Sequence, residues 1–286
     1  SAFSVRRRMT QAVVIDAHQH FWDPARNDYG WLTADLPALY RPFQPDDLAP
    51  LLAASGVTGT VLVQAAPTSA ETDYLLDLAA HTPFVKGVVG WIDFEDPTQH
   101  KLLERWAAHP KLKGIRPMVQ DIADPDWLLK PQIDWAFEAL QDVDLAFDAL
   151  VLPRHLRPLL QRLERHPDIR VCIDHAAKPD IKGQNFEPWA SDLAQLARKT
   201  RCFCKVSGLI TEAATPWTVQ DLEPVLDTLF TLFGPDRLIF GSDWPVLTLN
   251  GDYQGWIDLV RHRTRALAPT EQDLLFGGNA TRFYRL

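Results

Sequence analysis

Two histidines one residue apart, His18 and His20, are the side chains of this sequence best suited to chemistry. They follow a short apolar run, residues 13–15, that is typical of a buried strand. Side chains at positions i and i+2 of an extended chain point to the same side, so both imidazoles can reach one point beyond the strand. Imidazole is the commonest neutral metal ligand and exchanges protons near neutral pH. The pair therefore predicts a metal site or a proton-transfer site.

Polar or aromatic side chains also follow seven other apolar runs. Each has a structural explanation when taken singly: His175 could be a hydrogen-bonded core histidine, and Asp243 could cap a turn. Together they predict a pocket in which imidazoles and carboxylates surround one guanidinium. In chain order, the runs deliver Gln64, Trp91 and Asp93, Arg116, Asp148, His175 and Lys178, Lys205 and Ser207, and finally Asp243 and Trp244.

The elements that must position these residues are strands alternating with amphipathic helices. Strands with apolar side chains on both faces are typical of a parallel sheet covered by helices. We expect strands at 13–18, 59–65, 85–92, 113–118, 143–149, 170–175, 203–208 and 237–242. We expect helices at 46–55, 70–81, 97–109, 131–140, 154–166, 187–199, 219–233, 253–266 and 269–276.

Eight such units in a chain of this length predict an α/β fold, a single-domain (β/α)8 TIM barrel over residues 11–286. The side chains that chemistry requires would then meet at the carboxyl ends of the strands. A doubly wound open sheet is the alternative. It would need a glycine-rich turn after the first strand, where residues 16–20 read Asp-Ala-His-Gln-His.

The composition restricts the partners and the compartment. The formal net charge of −8 argues against nucleic acid, and no apolar run approaches the length of a membrane span. Cys172, Cys202 and Cys204 lack the spacing of a metal site, and we expect buried thiols in a cytoplasmic protein. We interpret residues 1–10 as an N-terminal extension, which a cloning vector could supply, and not as a secretory signal.

Four motifs resemble the amidohydrolase superfamily, in its amidohydrolase-2 branch of sugar-lactone hydrolases. The resemblance spans residues 11–286 and includes the closing Gly-Asn-Ala at 278–280. It rests on Asp16-Ala-His18-Gln-His20-Phe-Trp-Asp23, Gly114-Ile-Arg116, Asp174-His175-Ala-Ala-Lys178-Pro179 and Gly241-Ser-Asp243-Trp-Pro245. The set, in order and with strand-like spacing, is far more specific than any single motif.

The resemblance implies that His18, His20, His175 and Asp243 surround the reacting centre. Many superfamily members carry a metal-bridging lysine on the fourth strand and a metal-binding histidine on the fifth, where this chain has Arg116 and Asp148. A two-metal centre is therefore not expected. The remaining set suits at most one divalent ion, zinc or manganese, held by His18, His20, His175 and Asp243, and it is equally compatible with no metal. No organic cofactor is expected.

The resemblance also implies a mechanism in which Asp243 is the general base that activates water against a lactone carbonyl. A metal ion, or His18, His20 and Arg116 together, would stabilise the oxyanion. We expect Glu71, Asp93, Asp148 and Lys178 to contact sugar hydroxyls, and Trp91 or Trp244 to cover a ring face.

The predicted function is hydrolysis of a sugar-acid lactone, such as an L-fucono-, L-rhamnono- or galactonolactone, to the aldonic acid. The alternatives are a hydrolase of carboxylated or sulfonated muconolactones, a metal-dependent non-oxidative decarboxylase, and a barrel that binds ligands without catalysis. The expected partner is a small-molecule lactone, with neither nucleic acid nor membrane. The sequence leaves a homo-oligomer open.

Overall fold

A computed structural model describes residues 12–286, in which eight parallel strands form one sheet in the order of the chain, β1 to β8. The interpretation of residues 1–10 as an extension lies outside the described residues. Each strand is short and almost wholly buried. The strands are β1 (Ile15–Gln19), β2 (Gly59–Val63), β3 (Val85–Gly90), β4 (Leu112–Ile115), β5 (Ala146–Ala149), β6 (Val171–Ile173), β7 (Phe203–Val206) and β8 (Leu238–Phe240).

Helices follow the strands and cover the outside of the sheet, as the parallel connections require. They are α1 (Pro45–Ser55), α2 (Ser69–Ala80), α3 (His100–Ala107), α4 (Asp134–Asp142), α5 (Leu156–Arg165), α6 (Trp189–Lys199), α7 (Val219–Phe233), α8 (Tyr253–Arg263), α9 (Pro269–Asp273) and α10 (Asn279–Tyr284). The predicted (β/α)8 barrel is confirmed, and all eight predicted strands are present.

Several predicted strands run past the observed ends, by three residues in β4 and, beside His175 and Asp243, by two residues in β6 and β8. The sequence patterns extend to residues 175 and 242, whereas the strands end at Ile173 and Phe240. The chain leaves the sheet there because the following residues adopt conformations that a strand excludes, with positive φ at His175 and Asp243. The polar residues therefore lie in the loops at the mouth of the barrel.

The barrel closes between β1 and β8 through a single parallel bridge, Gln19 to Trp244. Backbone hydrogen bonds extend this seam toward the mouth. The amide of Asp243 donates to the carbonyl of His18 at 2.7 Å, and the amide of His20 donates to the carbonyl of Trp244 at 2.8 Å. The seam thus joins the first and last loops of the mouth directly.

The C-terminal helix α10 closes the opposite end of the barrel. Phe283 and Tyr284 pack against inward-facing strand residues, among them Ile15, Val61 and Cys172. The Tyr284 hydroxyl donates to both carboxylate oxygens of Asp148, at 2.7 and 2.8 Å. The bottom of the barrel is therefore apolar, and a polar layer begins above it.

The three cysteines are free and buried, as expected. None of the helices in residues 12–286 is long and apolar enough to cross a membrane.

The contact between Tyr284 and Asp148 gives a test of this closure. We expect Tyr284→Phe to lower the free energy of unfolding by about 1–3 kcal/mol, because a fully buried carboxylate loses a hydrogen-bond donor. Denaturant unfolding measures the change. Tyr40, which is 48% exposed, supplies the control, since Tyr40→Phe should stay within about 0.5 kcal/mol of the parent. Equal effects of the two variants would contradict the assigned role of Tyr284.

Candidate active site

The structure brings His18, His20, His175 and Asp243 together at the mouth of the barrel. The Oδ1 atom of Asp243 lies 3.2 Å from Nε2 of His20, 3.7 Å from Nε2 of His18 and 3.8 Å from Nε2 of His175. All four side chains are almost completely buried. One carboxylate oxygen is thus the meeting point of three imidazoles.

Asp16 holds the loops that carry these residues. Its carboxylate accepts hydrogen bonds from the Ser242 hydroxyl at 2.5 Å, the Ser242 amide at 2.9 Å and the His18 amide at 3.1 Å. The Tyr253 hydroxyl donates to it at 2.9 Å. One buried carboxylate therefore ties β1, the loop after β8 and helix α8 together just below Asp243.

A left-handed turn aims His175 into the site. Residues 175–178 all have positive φ, between 51° and 61°, although none is glycine. Such conformations cost about 1–2 kcal/mol per residue for L-amino acids and cluster at functional sites. Gly208, with φ of +65°, packs against the ring, and a Cβ at that position would lie 2.6 Å from Nδ1 of His175. A side chain at residue 208 would therefore displace the imidazole.

The hydrogen bonds of His20 and His175 indicate which ring nitrogens are free. Nδ1 of His20 lies 2.8 Å from the Val63 carbonyl, which can only accept, so Nδ1 carries the proton. In neutral His20 the Nε2 lone pair then faces the Asp243 carboxylate, an arrangement that needs a proton or a cation between them. Nδ1 of His175 pairs with the Ser207 hydroxyl at 2.8 Å, which leaves its Nε2 toward Asp243.

His18 lies deeper than the other two histidines, and both of its ring nitrogens face cationic groups. Nδ1 is 3.1 Å from the Lys205 ammonium, and Nε2 is 3.4 Å from Nη1 of Arg116. The Lys205 ammonium also lies 2.9 Å from Asp148 Oδ2 and 3.4 Å from Asp174 Oδ1. A second group of metal-type donors therefore exists below the first, and a lysine occupies it.

The environment sets the charges of these groups. Burial lowers the pKa of His175 to about 4, although the nearby carboxylates act in the opposite direction. Burial and the Lys205 charge lower the pKa of His18 well below its usual range. Burial alone would lower the pKa of Lys205, but Asp148 and Asp174 raise it to about 12. At neutral pH, His18 and His175 are therefore neutral and Lys205 is charged.

Asp243 is the ionised group that faces the cavity. Burial acts to raise its pKa, but His175 and the hydrogen bond with His20 act more strongly, so its pKa lies below the usual value. Within the described residues, its second oxygen, Oδ2, has no hydrogen-bond partner. This oxygen is also not completely shielded from solvent. That oxygen is free to bind a water molecule from the cavity.

Arg116 stands in the wall of the site with much of its hydrogen-bonding capacity already used. Nε donates to Oε1 of Gln64 and Nη2 to the Gln64 carbonyl, both at 2.6 Å. Nη1 forms an ion pair with Asp174 Oδ2 at 3.1 Å. The guanidinium is thus held rigidly, with its positive charge at the cavity.

A cavity of about 260 Å³ opens above these residues. Its floor contains His20, Arg116, His175, Lys178 and Asp243, which are the polar groups predicted from the sequence. Its walls are mainly apolar, with two polar residues, and are formed by Trp22, Trp31, Leu36, Leu39, Ala65, Met118, Gln120, Asp121, Leu150, Val246 and Leu249. The shape suits a small ring with one polar edge and one apolar substituent.

Three residues predicted to contact substrate lie away from this cavity. The Glu71 carboxylate accepts the amides of Ala65 and Ala66 at 2.9 and 3.0 Å and is fully buried. Asp148 is buried below the site between Lys205 and Tyr284. Trp244 is 3% exposed and packs edge-on against the Phe43 ring. Because their polar atoms or ring faces are already satisfied inside the protein, the structure gives these three residues structural roles.

Two further predicted residues lie beside the site, whereas Lys178 lines it. Trp91 and Asp93 line a neighbouring cavity of about 440 Å³, which shares the walls Trp31, Met118 and Asp121 with the first. Asp93 accepts the amide of Glu95 in a turn at 2.9 Å. Direct contact of these residues with a ligand in the smaller cavity is therefore not favoured.

Sequence reasoning assigned no role to Lys205, Asp174 or Tyr284. The sequence did contain an indication for Lys205, because a lysine inside a strand buried on both faces must be paired with an acidic partner. Asp174 carried a weaker one, as part of a motif in which only the following histidine was assigned. Tyr284 carried none, since nothing local shows that the C-terminal helix enters the barrel.

The donor set fits a metal ion in part. Donor atoms of His18, His175 and Asp243 lie within 4.8 Å of one another, and His20 directs a lone pair at Asp243. His18 fits less well than the sequence suggested. Its Nδ1 faces the Lys205 ammonium and its Nε2 faces Nη1 of Arg116, so both ring nitrogens already lie against cationic donors.

Comparisons with known proteins by sequence and by structure find relatives over almost the whole chain. A sequence model described as Amidohydrolase matches residues 15–286. An L-fucono-1,5-lactonase of Burkholderia ambifaria is 47% identical over 276 residues, which are 95% of each chain. An L-fucono-1,5-lactonase of Burkholderia multivorans is 36% identical, with 96% of this chain and 97% of the relative covered.

A solved structure is similar over the same length. It is an amidohydrolase from Burkholderia multivorans with bound zinc, 35% identical, with a TM-score of 0.91. The match covers 96% of this chain and all of the other. The similarity extends over the whole barrel and its mouth.

The packing of Gly208 against His175 gives a test of the site's geometry. Gly208→Ala and Gly56→Ala both place alanine at positive φ, but only residue 208 lies tightly against a side chain, whereas the atom nearest to a Cβ at residue 56 is Nη2 of Arg261, at 4.0 Å. Each variant should lose about 1 kcal/mol of unfolding free energy from backbone strain. Gly208→Ala should lose about 1–3 kcal/mol more, because its methyl group displaces His175. Equal losses in denaturant unfolding would show that the ring is not held by this contact.

Proposed function

This chain belongs to the amidohydrolase family, and from that premise we propose that it hydrolyses the lactone of a sugar acid, with L-fucono-1,5-lactone or a close analogue as substrate. The observation that carries the proposal is the Asp243 carboxylate, with one oxygen held among three imidazoles and the other free at the cavity floor. Two relatives named L-fucono-1,5-lactonases, alike over nearly the whole chain, support the choice of substrate.

The cavity supports a deoxy sugar lactone. A volume of about 260 Å³ accommodates a single six-membered ring with its substituents. L-Fucono-1,5-lactone is a 6-deoxy compound, so it offers one methyl group and several hydroxyls. The apolar wall that includes Leu36, Met118 and Leu249 suits the methyl group, and Lys178 on the floor suits a hydroxyl or the carboxylate of the product.

Asp243 acts as the general base in this proposal. Its Oδ2 accepts a proton from a water molecule as the water oxygen attacks the lactone carbonyl carbon. The tetrahedral intermediate then expels the ring oxygen, and the proton held by Asp243 passes to that oxygen as the ring C–O bond breaks. The products are the hydroxyl and the carboxylic acid of the open-chain aldonic acid, which ionises at neutral pH.

Arg116 stabilises the negative charge that develops on the carbonyl oxygen. Its guanidinium is held by Gln64 and Asp174, so it needs no reorganisation during the reaction. Oδ1 of Asp243 lies among the imidazoles of His18, His20 and His175, which leaves Oδ2 to the water. Binding of the lactone displaces other water from the small, largely apolar cavity and strengthens these charge interactions.

A divalent ion, zinc or manganese, is compatible with this scheme. His18, His175 and Asp243, with His20 beside Asp243, would hold it, and it would supply a Lewis acid that polarises the lactone carbonyl. The bound zinc of the structure from Burkholderia multivorans supports this possibility. The buried free thiols favour a reducing compartment, so we also propose a cytoplasmic location.

Removal of the base tests the function. Against a panel of aldonolactones with a pH indicator, Asp243→Asn should lower kcat by about 10²–10⁴-fold, because the amide cannot accept the proton. Its unfolding midpoint should change little. Asp168→Asn is the matched control, since that side chain is 80% exposed at the far end of the barrel and should keep full activity. Full activity of Asp243→Asn would refute the assignment of the base, and an inactive parent would refute the lactonase function.

The pH dependence gives a second test. Because its pKa is below the usual value, Asp243 remains ionised at neutral pH and loses its charge only in strong acid. We therefore expect kcat/KM, corrected for spontaneous hydrolysis, to stay level as the pH falls from 7 and to decline only below about pH 4. An acid limb with a midpoint of about 6–7 would identify an imidazole, in place of Asp243, as the base.

A further inference from the structure

Gln120 is a polar residue in the cavity wall to which the proposed mechanism gives no task. It lies in a short helical turn, Val119–Asp121, that follows β4 and Arg116. Its backbone amide donates to the carbonyl of Leu150, in the loop after β5, at 3.0 Å. Its side chain lines the cavity of about 260 Å³. The backbone of Gln120 is therefore anchored, and its side chain meets whatever occupies the cavity.

The side-chain amide of Gln120 has no hydrogen-bond partner among residues 12–286. Its Oε1 is enclosed and unpaired. Its Nε2 makes no hydrogen bond within the same residues either, but it is not fully enclosed, so solvent reaches it. Buried polar groups in native proteins are nearly always paired, because an unpaired one destabilises the fold. The amide thus lies at the cavity with its hydrogen-bonding capacity unused.

A hydroxyl group of a ligand would supply the missing partner. A hydroxyl both donates and accepts, so it can pair with Nε2, or with Oε1 after rotation about the terminal torsion, which has a broad energy profile in glutamine. The charged groups Arg116, Lys178 and Asp243 lie on the cavity floor, where the reacting carbonyl needs them. Gln120 is uncharged and lies in the wall, where it suits an uncharged substituent of the ring.

We propose that Gln120 is a specificity-determining residue, whose side-chain amide forms a hydrogen bond with a ring hydroxyl group of the bound sugar lactone. L-Fucono-1,5-lactone offers such groups on ring carbons C2, C3 and C4. A site that pairs a polar group with a substrate hydroxyl rejects the analogue that lacks it, because the polar group of the protein is then left unpaired. This inference rests on the proposed function and names the residue that recognises the hydroxylated ring.

The stability of the free enzyme is the first test. Gln120→Met keeps the length of the side chain and removes the unpaired oxygen, so the unfolding midpoint should stay level or rise. Gln141→Met is the matched control, since Gln141 is also partly buried, lies on α4 and does not line the cavity. A marked fall in the midpoint of Gln120→Met alone would show that the amide is paired within the protein, which overturns the proposal.

A panel of lactones tests the recognition itself. L-Fucono-1,5-lactone is compared with analogues that lack the hydroxyl at C2, C3 or C4, with correction for spontaneous hydrolysis. Gln120→Met should lower kcat/KM for the full lactone about tenfold or more, mainly through KM, and for one analogue hardly at all. The amide and that hydroxyl form one hydrogen bond, so the loss of both costs no more than the loss of either.

The same panel contains the results that would overturn the proposal. A fall by the same factor for every lactone would indicate general damage to the site, and an unchanged kcat/KM for all of them would show that Gln120 makes no contact with the ring. Gln141→Met should match the unmodified enzyme throughout.

A failure of the proposed function is recognised separately. If the unmodified enzyme hydrolyses no lactone of the panel, the lactonase function is refuted, and the binding of L-fucose decides about Gln120. This sugar carries the same ring hydroxyls and has no ester to hydrolyse. In calorimetric titration, Gln120→Met should then bind it at least about tenfold more weakly than Gln141→Met. Equal affinities, or no binding to the unmodified enzyme, would overturn the proposal.

Discussion

The buried carboxylate of Asp16 is the constraint on which the site depends. A parallel sheet of eight strands places its first and last strands at opposite edges, and here only one bridge pairs them. Asp16 adds four hydrogen bonds from Ser242, His18 and Tyr253 at that seam. The histidines of β1 and Asp243 after β8 therefore meet because the barrel closes here. The same contacts therefore close the barrel and assemble the site.

The buried charges directly below the site are paired with one another. Arg116 pairs with Asp174, and Lys205 with Asp148 and Asp174. Such buried pairs contribute little net stability, because desolvation offsets the attraction between them. Asp243 differs, since three imidazoles surround one of its oxygens, and the other oxygen has no hydrogen-bond partner among the described residues. The retained charge therefore lies where the proposed reaction needs it.

The sequence predicts the fold well and singles out residues that the structure brings together at the mouth of the barrel, since both rest on local patterns. Apolar periodicity gave all eight strands, and the rule that barrel sites lie at strand ends brought out His18, His20, His175 and Asp243. Glu71 and Trp244 do not line the cavity, because a position near a strand end does not say whether a side chain enters the mouth or the wall. Lys205 was missed for the opposite reason, since it lies within a strand and its importance arises from partners on β1, β5 and β6.

The polar layer links the two ends of the barrel. From the C-terminal helix, Tyr284 holds Asp148, Asp148 holds Lys205, and Lys205 meets His18 below Asp243. TIM-barrel interiors are usually filled by layers of branched apolar side chains, and here such a layer is confined to the bottom. Charged side chains in place of the upper apolar layers lower the stability of the fold. They also place hydrogen-bond donors in fixed positions beneath Asp243, the proposed base. The position of the last helix therefore affects the geometry of the mouth, which lies at the opposite end of the barrel.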